Sequence, residues 1–258
     1  MKRVIDHEKC IGCGRCVRDC VNKYIKLDDS DKGKKSASFV ERGRCLECGH
    51  CNAICPQGAI IGGQIEELPT RMDSLLSLMT KKRTVREYIK GATISQNDLD
   101  YIILAGQSAP TNRNRKSARM IFIKEHLPII YNTAVDYLVE RVQQAGTIDP
   151  LYVPTMRMSQ NRSLILWGAE YLVVFAGSSQ TIIDAAISAE RMQLEAEALG
   201  IGTAYRGDMV DAINNVDDLR NLIGLRSNEM ALIAFAMGVS NVKYYRSAVK
   251  NNRKVVFK

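Results

Sequence analysis

The sequence lacks several features that would each indicate a class of protein. It has no apolar run near the roughly 20 residues that cross a bilayer, and its first residues, MKRVIDHEKC, contain no apolar core of a signal peptide. It also contains no P-loop, the glycine-rich motif that cradles nucleotide phosphates. We therefore expect a cytoplasmic protein that does not associate with a membrane.

Aromatic residues are scarce, at 6% of the chain, although the formal net charge of +8 would suit a nucleic-acid partner. Residues 1–66 carry 12 Lys and Arg against 9 Asp and Glu, and the remainder carries 24 against 19, so the excess is +3 and +5. A modestly basic segment with few aromatics is a weak signal for nucleic acid. The phosphate of an anionic cofactor explains that charge at least as well, so we expect no nucleic-acid partner.

Cysteine is absent after Cys55, and all eight cysteines lie between Cys10 and that residue. They form a repeat, because EKCIGCGRCVRDC at 8–20 and GRCLECGHCNAIC at 43–55 align cysteine for cysteine at an offset of 35 residues. In a reducing compartment such a set indicates metal binding rather than disulfides. The repeat predicts two pseudo-symmetric halves.

Each half has the spacing C-x2-C-x2-C-x3-C, in which the fourth cysteine of each run binds the other cluster in two-cluster ferredoxins. On that pattern the ligands of one cluster are Cys10, Cys13, Cys16 and Cys55, and the ligands of the other are Cys45, Cys48, Cys51 and Cys20. Two zinc sites are the alternative, but zinc gives no reason for the third cysteine of each run. Pro56 follows the second run, whereas Val21 stands at the equivalent position after the first run. His50, inside the second run, is interpreted as a polar loop residue. Segment 1–66 resembles a bacterial-type ferredoxin with two [4Fe-4S] clusters.

The pattern changes to helical periodicity near residues 66–69, so we predict two domains, 1–66 and 67–258. A short returning strand is expected at SFVERG, 38–43. Beyond the boundary, predicted helices and strands alternate, which favours an α+β or α/β layered domain. The helices are predicted over 73–82, 95–107, 128–144, 181–200 and 208–223, and the strands over 118–123, 170–177, 201–205 and 229–238. Ser95 is the predicted N-cap of its helix, and Ile183, Ile187, Leu194 and Ala198 follow one face of the long helix.

Two short segments are candidates for binding a cofactor. GIGTAYRG at 200–207 is similar to a dinucleotide-binding glycine loop, but it follows a helix and precedes a strand, which reverses the required order. In KKRTVREY at 81–88, Arg83 and Arg86 flank Thr84 and offer two guanidinium groups and a hydroxyl to a phosphate and to ring carbonyls. A solvated basic turn is the alternative interpretation of this second segment.

Four segments in order resemble the FMN-dependent nitroreductase family over residues 70–258. They are KRTVREY at 82–88, APTNRN at 109–114, DAAISAERMQLEAEALGIGTAYRG at 184–207 and MGVSNVKYYR at 237–246. The resemblance implies that FMN is held through its phosphate and ribityl groups by Arg83, Thr84, Arg86 and Arg246, with Thr111 at a matching position. It also implies that Asn114 faces the ring edge and that backbone amides of Tyr205, Arg206 and Gly207 lie near the reactive nitrogen. No catalytic acid or base is expected, because the flavin carries the chemistry.

The same resemblance implies a mixed sheet flanked by helices and an entwined homodimer with FMN at the interface, which the C-terminal KVVFK segment would cross. Two departures concern the pocket, since Lys116, Ser117 and Ala118 replace the family's Q-P-W and Glu170 replaces a frequent proline. Residues 146–164 are a candidate lid over the flavin, with ordinary packing as the alternative.

The expected function is an oxidoreductase that passes electrons from two [4Fe-4S] clusters to FMN and then to a small acceptor, namely a nitroaromatic, a quinone or an activated double bond such as an enone. An external low-potential donor, such as reduced ferredoxin, or NAD(P)H would supply the electrons. One alternative is a non-catalytic electron relay between protein partners. Another is a redox- or flavin-sensing binding module.

Overall fold

The structure is a computed structural model that describes residues 3–29, 35–40, 45, 48–62, 74–145, 165–245 and 254–258. The chain divides into two compact units, each described by itself below. The first unit contains Met1–Lys81 together with Val242–Lys258, and the second contains Lys82–Asn241. This division differs from the expected domains 1–66 and 67–258, because the last residues of the chain group with the cysteine-rich part.

The described residues of the first unit form two short sheets and three helices. Its elements are β1 (Val4–Ile5), α1 (Arg15–Asp19), β2 (Ile25–Asp29), β3 (Lys35–Phe39), α2 (His50–Ile54), β4 (Ile60–Ile61) and α3 (Ser74–Lys81). Strand β1 pairs antiparallel with β4, and β2 pairs antiparallel with β3. The first two residues of the strand expected at 38–43 therefore belong to β3, and residues 41–43 lie outside the described residues.

The predicted repeat is visible as two equivalent helices. Helices α1 and α2 begin 35 residues apart, and each follows a glycine in the left-handed region, with φ of 70° at Gly14 and 73° at Gly49. Each helix ends at the fourth cysteine of its run, Cys20 or Cys55. The third cysteine of each run thus lies within a five-residue helix, and the fourth lies directly after it.

The second unit is built around one four-stranded sheet. Its strands are β5 (Arg119–Ile123), β6 (Tyr171–Gly177), β7 (Ile201–Tyr205) and β8 (Met230–Val239). Its helices are α4 (Gln96–Gln107), α5 (Leu127–Ala145), α6 (Ile182–Ala198), α7 (Gly207–Asn215) and α8 (Asp217–Leu222), with 3-10 turns at Asn112–Asn114, Ile165–Gly168 and Ser179–Thr181. The strand order is β5-β6-β8-β7, and every pairing among these four strands is antiparallel. The expected mixed character is limited, among the described residues, to an isolated parallel bridge from Thr84 to Thr203.

Helices cover both faces of this sheet. Phe175 and Phe235 pack with Ile102 of α4 and Met192 of α6 in one buried cluster. Ala234 and Ala236, which alternate with that face along β8, are buried as well, and α7 packs on β8. Strands buried on both sides have near-continuous apolar sequences, as in YLVVFAG.

Several predicted details of this unit are confirmed. Ser95 is the N-cap of α4, and its hydroxyl accepts a hydrogen bond from the Asp98 amide at 3.1 Å. The helix predicted at 128–144 begins at Leu127, one residue before Pro128, and the four predicted strands match β5 to β8 within one residue.

Two details are corrected. The single helix predicted over 208–223 is two helices, because the side-chain amide of Asn214 pairs with both backbone groups of Ala231 and Val216 is extended. In α6 the buried face contains Ala185, Ala189, Met192 and Ala196. Ile183 of the apolar face predicted from the sequence is instead 69% exposed.

Candidate functional site

The first unit contains two cavities lined by cysteines. One cavity is lined by Cys10, Cys13, Cys16 and Cys55, and the other by Cys20, Cys45, Cys48 and Cys51. Each cavity thus receives three cysteines from one run and the fourth from the other run. The structure brings the eight cysteines together in the two groups that the spacing predicts.

Polar hydrogens point at the sulfur atoms of these cysteines. The amides of Tyr24, Ala37 and Ala59 donate to the Sγ atoms of Cys20, Cys10 and Cys55 at 3.2, 3.4 and 3.3 Å. The guanidinium of Arg3 donates to Cys45 Sγ at 3.4 Å. Such donors favour thiolate over thiol, and hydrogen bonds to sulfur tune cluster potentials.

Burial acts against ionisation at the centre of each group. Burial, together with the negative charge of the neighbouring Cys55, Cys13 and Cys10 thiolates, raises the pKa of Cys16 to about 11. Burial likewise raises the pKa of Cys51 to about 12, although the Arg3 charge opposes this. Four thiolates around one cavity, of which the central one is buried, are therefore favoured by the positive charge of a bound metal group.

Four cysteine sulfurs around one cavity are a donor set that fits a [4Fe-4S] cluster. In a [4Fe-4S] cluster each cysteine binds its own iron, so the sulfurs surround a cavity instead of meeting at a point.

Gly12 lets the first cysteine run approach the neighbouring strand. Its φ is +66°, and a Cβ at this position would lie 2.2 Å from the backbone oxygen of Lys35. Only glycine fits both the left-handed backbone and the close approach.

His50 is not the polar loop residue expected from the sequence. It starts α2, is buried, and its Nδ1 lies 3.3 Å from Oδ2 of Asp19, which is also buried. The same carboxylate accepts a hydrogen bond from the Tyr244 hydroxyl at 3.1 Å. The motif spacing contained no signal for this polar group, since Tyr244 is almost 200 residues further along the chain.

In the second unit, the segment carrying Arg83 and Thr84 lies along β7. Thr84 bridges to Thr203, whose carbonyl accepts the Val85 amide at 2.9 Å. A Cβ on Gly202 would lie 2.7 Å from Val85, so this glycine permits the close approach. Because β7 continues to Tyr205, the structure places two of the predicted cofactor-binding segments side by side.

Charged groups surround this edge of the sheet. Arg83 is only 4% exposed and its Nη1 donates to the carbonyl of Lys82 at 2.7 Å. The Lys82 ammonium lies 3.8 Å from Glu190, and the Tyr205 hydroxyl donates to the same carboxylate at 3.3 Å. Burial raises the pKa of Glu197, while the charges of Lys82 and Arg83 lower it. The edge is therefore polar, with two cations that suit an anionic ligand.

Arg206 is engaged within the protein. Its guanidinium, 3% exposed, donates Nε to Asp208 at 2.8 Å and lies 4.7 Å from the ring centre of Trp167. Its amide donates to the Ala234 carbonyl at 2.8 Å. Of the three residues predicted to present backbone amides, Arg206 has its amide already bonded within the sheet.

Thr111 and Asn114 lie elsewhere in this unit. Thr111 lines a cavity of about 720 Å³ with Phe122, Phe175 and Ser188, and the neighbouring Asn112 amide donates to Asp184 at 3.2 Å. Thr203 contacts α6 at Gln193 instead, nine residues further along that helix, or about 14 Å at 1.5 Å per residue. One chain therefore does not bring Thr111 beside Thr84.

Arg86 follows Arg83 in the described segment and is half-buried, whereas three other predicted positions fall outside the described residues. These are Arg246, the candidate lid at 146–164, and the linker 63–73 that contains the expected domain boundary. No helix among the residues that the structure describes is both long and apolar enough to cross a membrane.

Comparison with known proteins identifies both parts of the chain. Residues 79–239 match the nitroreductase family, and residues 9–59 match the 4Fe-4S dicluster domain. An uncharacterized ferredoxin of Methanocaldococcus jannaschii is 40% identical over 58 residues, covering 22% of this chain and 73% of that protein. Ferredoxin-3 of a Nostoc species is 27% identical over 75 residues, covering 24% of this chain and 77% of its own length.

Solved structures agree with this assignment at the level of the fold. A nitroreductase with bound FMN from Desulfitobacterium hafniense is 20% identical, with a TM-score of 0.58 over 72% of this chain and 99% of that one. A nitroreductase with bound FMN from Bacteroides fragilis is 19% identical, with a TM-score of 0.55 over 72% and 100%. The chain belongs to the nitroreductase family and carries, ahead of that fold, a ferredoxin-type 4Fe-4S dicluster domain.

Proposed function

We propose that this protein is an iron–sulfur-linked flavin oxidoreductase that uses electrons from two [4Fe-4S] clusters and FMN to reduce a nitroaromatic, a quinone or an enone. The observation that carries the proposal is the occurrence, in one chain, of two four-cysteine cavities and a nitroreductase fold. When bound, the clusters would supply single electrons and FMN would supply two-electron transfer to the acceptor.

The eight cysteines would hold the clusters in the two groups described above. Amide donors stabilise the thiolate form where burial opposes it. At Cys10 burial raises the pKa, but hydrogen bonds from the Ala37 and Gly12 amides outweigh burial, so the pKa is lowered. The backbone thus prepares this sulfur for metal binding before any metal arrives.

Arg83, Thr84 and Arg86 would hold the phosphate and ribityl groups of FMN, together with Arg246. The buried guanidinium of Arg83 supports this role, because a cation already removed from water interacts strongly with a phosphate. Tyr205 and Gly207 would lie at the flavin ring, because Thr84 bridges to the strand that ends at Tyr205. The Arg206 side chain would support that loop from beneath through Asp208 and Trp167.

A homodimer would complete the flavin site. Thr111 and Asn114 lie near the start of α6, whereas Thr84 lies near its later turns. In a dimer, the flavin held by Thr84 of one copy would be contacted by Thr111 and Asn114 of the other copy. The exposed face of α6 supports this, since Ile182, Ile183 and Ile187 are all solvent-exposed on the isolated chain. We expect Ile183→Glu to dissociate the dimer in sedimentation analysis and to lower FMN content, whereas Glu125→Lys, a charge change at an exposed residue of the β5–α5 turn, should do neither.

The decisive experiment measures turnover under anaerobic conditions with two donors. Purified protein is mixed with nitroaromatics, quinones and enones, first with reduced ferredoxin as donor and then with dithionite, which reduces flavin directly. Cys16→Ser and Cys51→Ser, one variant for each cavity, should lose turnover with reduced ferredoxin and keep both FMN and turnover with dithionite. NAD(P)H is tested as a third donor in the same assay.

Three outcomes would contradict the proposal. Zinc in place of iron and sulfide would remove the electron input. Full ferredoxin-driven turnover in both cysteine variants would show that the clusters are not on the route. Bound iron and FMN without reoxidation by any small acceptor would favour the electron relay between protein partners.

A further inference from the structure

The C-terminal part of the first unit contains two adjacent tyrosines that contact both cysteine helices. We call Tyr244 and Tyr245 the tyrosine clasp. They lie five and six residues after the end of β8, and with Val242 they belong to the unit that contains the cysteines. Tyr244 and Val242 pack against the apolar core of that unit.

The clasp contacts α2 through one backbone hydrogen bond and one ring contact. The Tyr245 amide donates to the carbonyl of Ala53 at 2.9 Å. The ring of Tyr244 lies edge-on to the ring of His50, with 5.6 Å between centroids and 78° between planes. Both contacts fall among the cysteines of the second run, since Ala53 lies between Cys51 and Cys55 and His50 between Cys48 and Cys51.

The clasp contacts α1 through its two hydroxyl groups. The Tyr244 hydroxyl donates to Asp19 Oδ1 at 3.1 Å. The Tyr245 hydroxyl accepts a hydrogen bond from Arg15 at 2.9 Å, and that guanidinium lies 5.9 Å from the centre of the Tyr245 ring. Arg15 lies between Cys13 and Cys16, and it is equivalent to His50 in the 35-residue repeat.

Asp19 is the central member of this group. It lies between Cys16, which lines the first cavity, and Cys20, which lines the second. It is 6% exposed, and its two oxygens face Tyr244 and His50. A buried carboxylate next to both cavities affects the energy of adding an electron to either one, because it acts through a low dielectric.

We propose that Tyr244 is a positioning residue for the electron-input part of the enzyme. It holds α1 and α2 in register and offsets the charge of Asp19, and in this way it sets the reduction potentials in both cavities. This inference rests on the proposed function in one respect, namely that the cysteines ligate iron–sulfur clusters. It adds a residue that lies almost 190 positions after the last cysteine and outside the cysteine motif.

The test is an anaerobic redox titration of the full-length holoprotein, followed by electron paramagnetic resonance. Tyr244→Phe removes only the hydroxyl, so the Asp19 charge is less compensated and both potentials should become more negative. Amide exchange in α1 and α2 should accelerate about tenfold, since a lost hydrogen bond to a buried charge favours local opening. Tyr137→Phe, which removes a hydroxyl bonded to Arg141 in α5, is the matched control and should change neither readout.

A double-mutant cycle separates positioning from general packing. In the Asp19→Asn background, Tyr244→Phe should shift the potentials much less, because the charge that the hydroxyl offsets is gone. The inference is overturned if Tyr244→Phe and Tyr137→Phe give the same potentials and the same exchange rates as the wild type. It is also overturned if the shift is unchanged in the Asp19→Asn background.

Failure of the proposed function gives a different result. If the wild-type chain binds no iron and sulfide, the cluster assignment fails. Amide exchange of α1 and α2 in Tyr244→Phe still decides whether the clasp holds the two helices together.

Discussion

The two units differ in what occupies their centres. In the second unit the buried cluster is made of large apolar side chains such as Phe175, Met192 and Phe235. In the first unit Cys16 and Cys51 belong to the buried core, beside small or medium residues such as Ala37 and Ile54. If these cysteines ligate metal as proposed, the first unit depends on the metal for its stability, whereas the second unit can rely on apolar burial.

Removing the metal is the strongest way to test this difference. Stripping iron with a chelator should unfold the first unit and leave the second folded, because structural metal sites contribute on the order of 10 kcal/mol. Trp167 is the single tryptophan and lies in the second unit. Its fluorescence should stay constant while amides of α1, α2 and β2 lose protection, and parallel loss of both signals would contradict the comparison.

Gly12→Ala should affect only the first unit. The left-handed backbone disfavours alanine by about 1–2 kcal/mol, and the new Cβ would overlap the Lys35 carbonyl. With overpacking added, we expect the stability of the first unit to fall by about 4 kcal/mol. The destabilised unit should release iron to a chelator faster than the wild type does. Gly91→Ala is the control, because its φ is +80° but a Cβ there would meet nothing within 4 Å, so a similar iron loss in both variants would exclude the overlap as the cause.

Met192→Ala should affect only the second unit. Met192 is fully buried between α4 and the sheet, so the cavity should lower the free energy of unfolding by about 3 kcal/mol. The measurement is chemical denaturation followed by Trp167 fluorescence. The iron–sulfur absorbance at low denaturant should match that of the wild type, and early bleaching would show that the first unit depends on this core.

The smallest expected effect concerns Glu229, which binds Arg119 at 2.6 Å. The hydrogen bonds from Arg119 lower the pKa of Glu229 to about 2. Because the folded value lies below the unfolded one, the stabilisation is present above about pH 4.5 and is lost as the pH falls towards about 2.

Solvent at the partly exposed arginine screens this pair, so Glu229→Gln should lower the stability of the second unit by about 1 kcal/mol at pH 7. In this variant the free energy of unfolding of the second unit should also depend less on pH below about 4.5. The measurement is unfolding followed by Trp167 fluorescence. Glu125→Gln, at an exposed position between β5 and α5, should have the stability and pH dependence of the wild type. An equal loss of stability in Glu125→Gln would show that the ion pair of Glu229 is not the cause.

Local signals in the sequence were sufficient for most of the fold. The cysteine spacing predicted which four cysteines share each cavity, because it matches two-cluster ferredoxins, in which the fourth cysteine of each run binds the other cluster. Periodicity and capping at Ser95 predicted the helices and strands of the second unit. The prediction failed where side chains from distant segments decide the outcome, as at Asn214, whose bonds to Ala231 divide one predicted helix into two.

The candidate sites show the same limit. The motif at Arg83 and Thr84 was visible, but its pairing with β7 is a long-range contact. The apolar residues on α6 predicted an amphipathic helix but not which of its faces is buried. Alanines rather than isoleucines fit the close contact with α4, where Gly106 allows Met192 to approach. The buried role of His50 depends on Asp19 and Tyr244, and no local pattern contains all three.

The bond between Tyr245 and Ala53 also has a consequence for biosynthesis. About 190 residues separate the last cysteine from Tyr245, and at 5–20 residues per second a ribosome needs roughly 10–40 seconds to make them. During that interval the cysteine-rich segment has emerged without its final contacts. Metal insertion before that point would act on a unit that still lacks the bond between Tyr245 and Ala53.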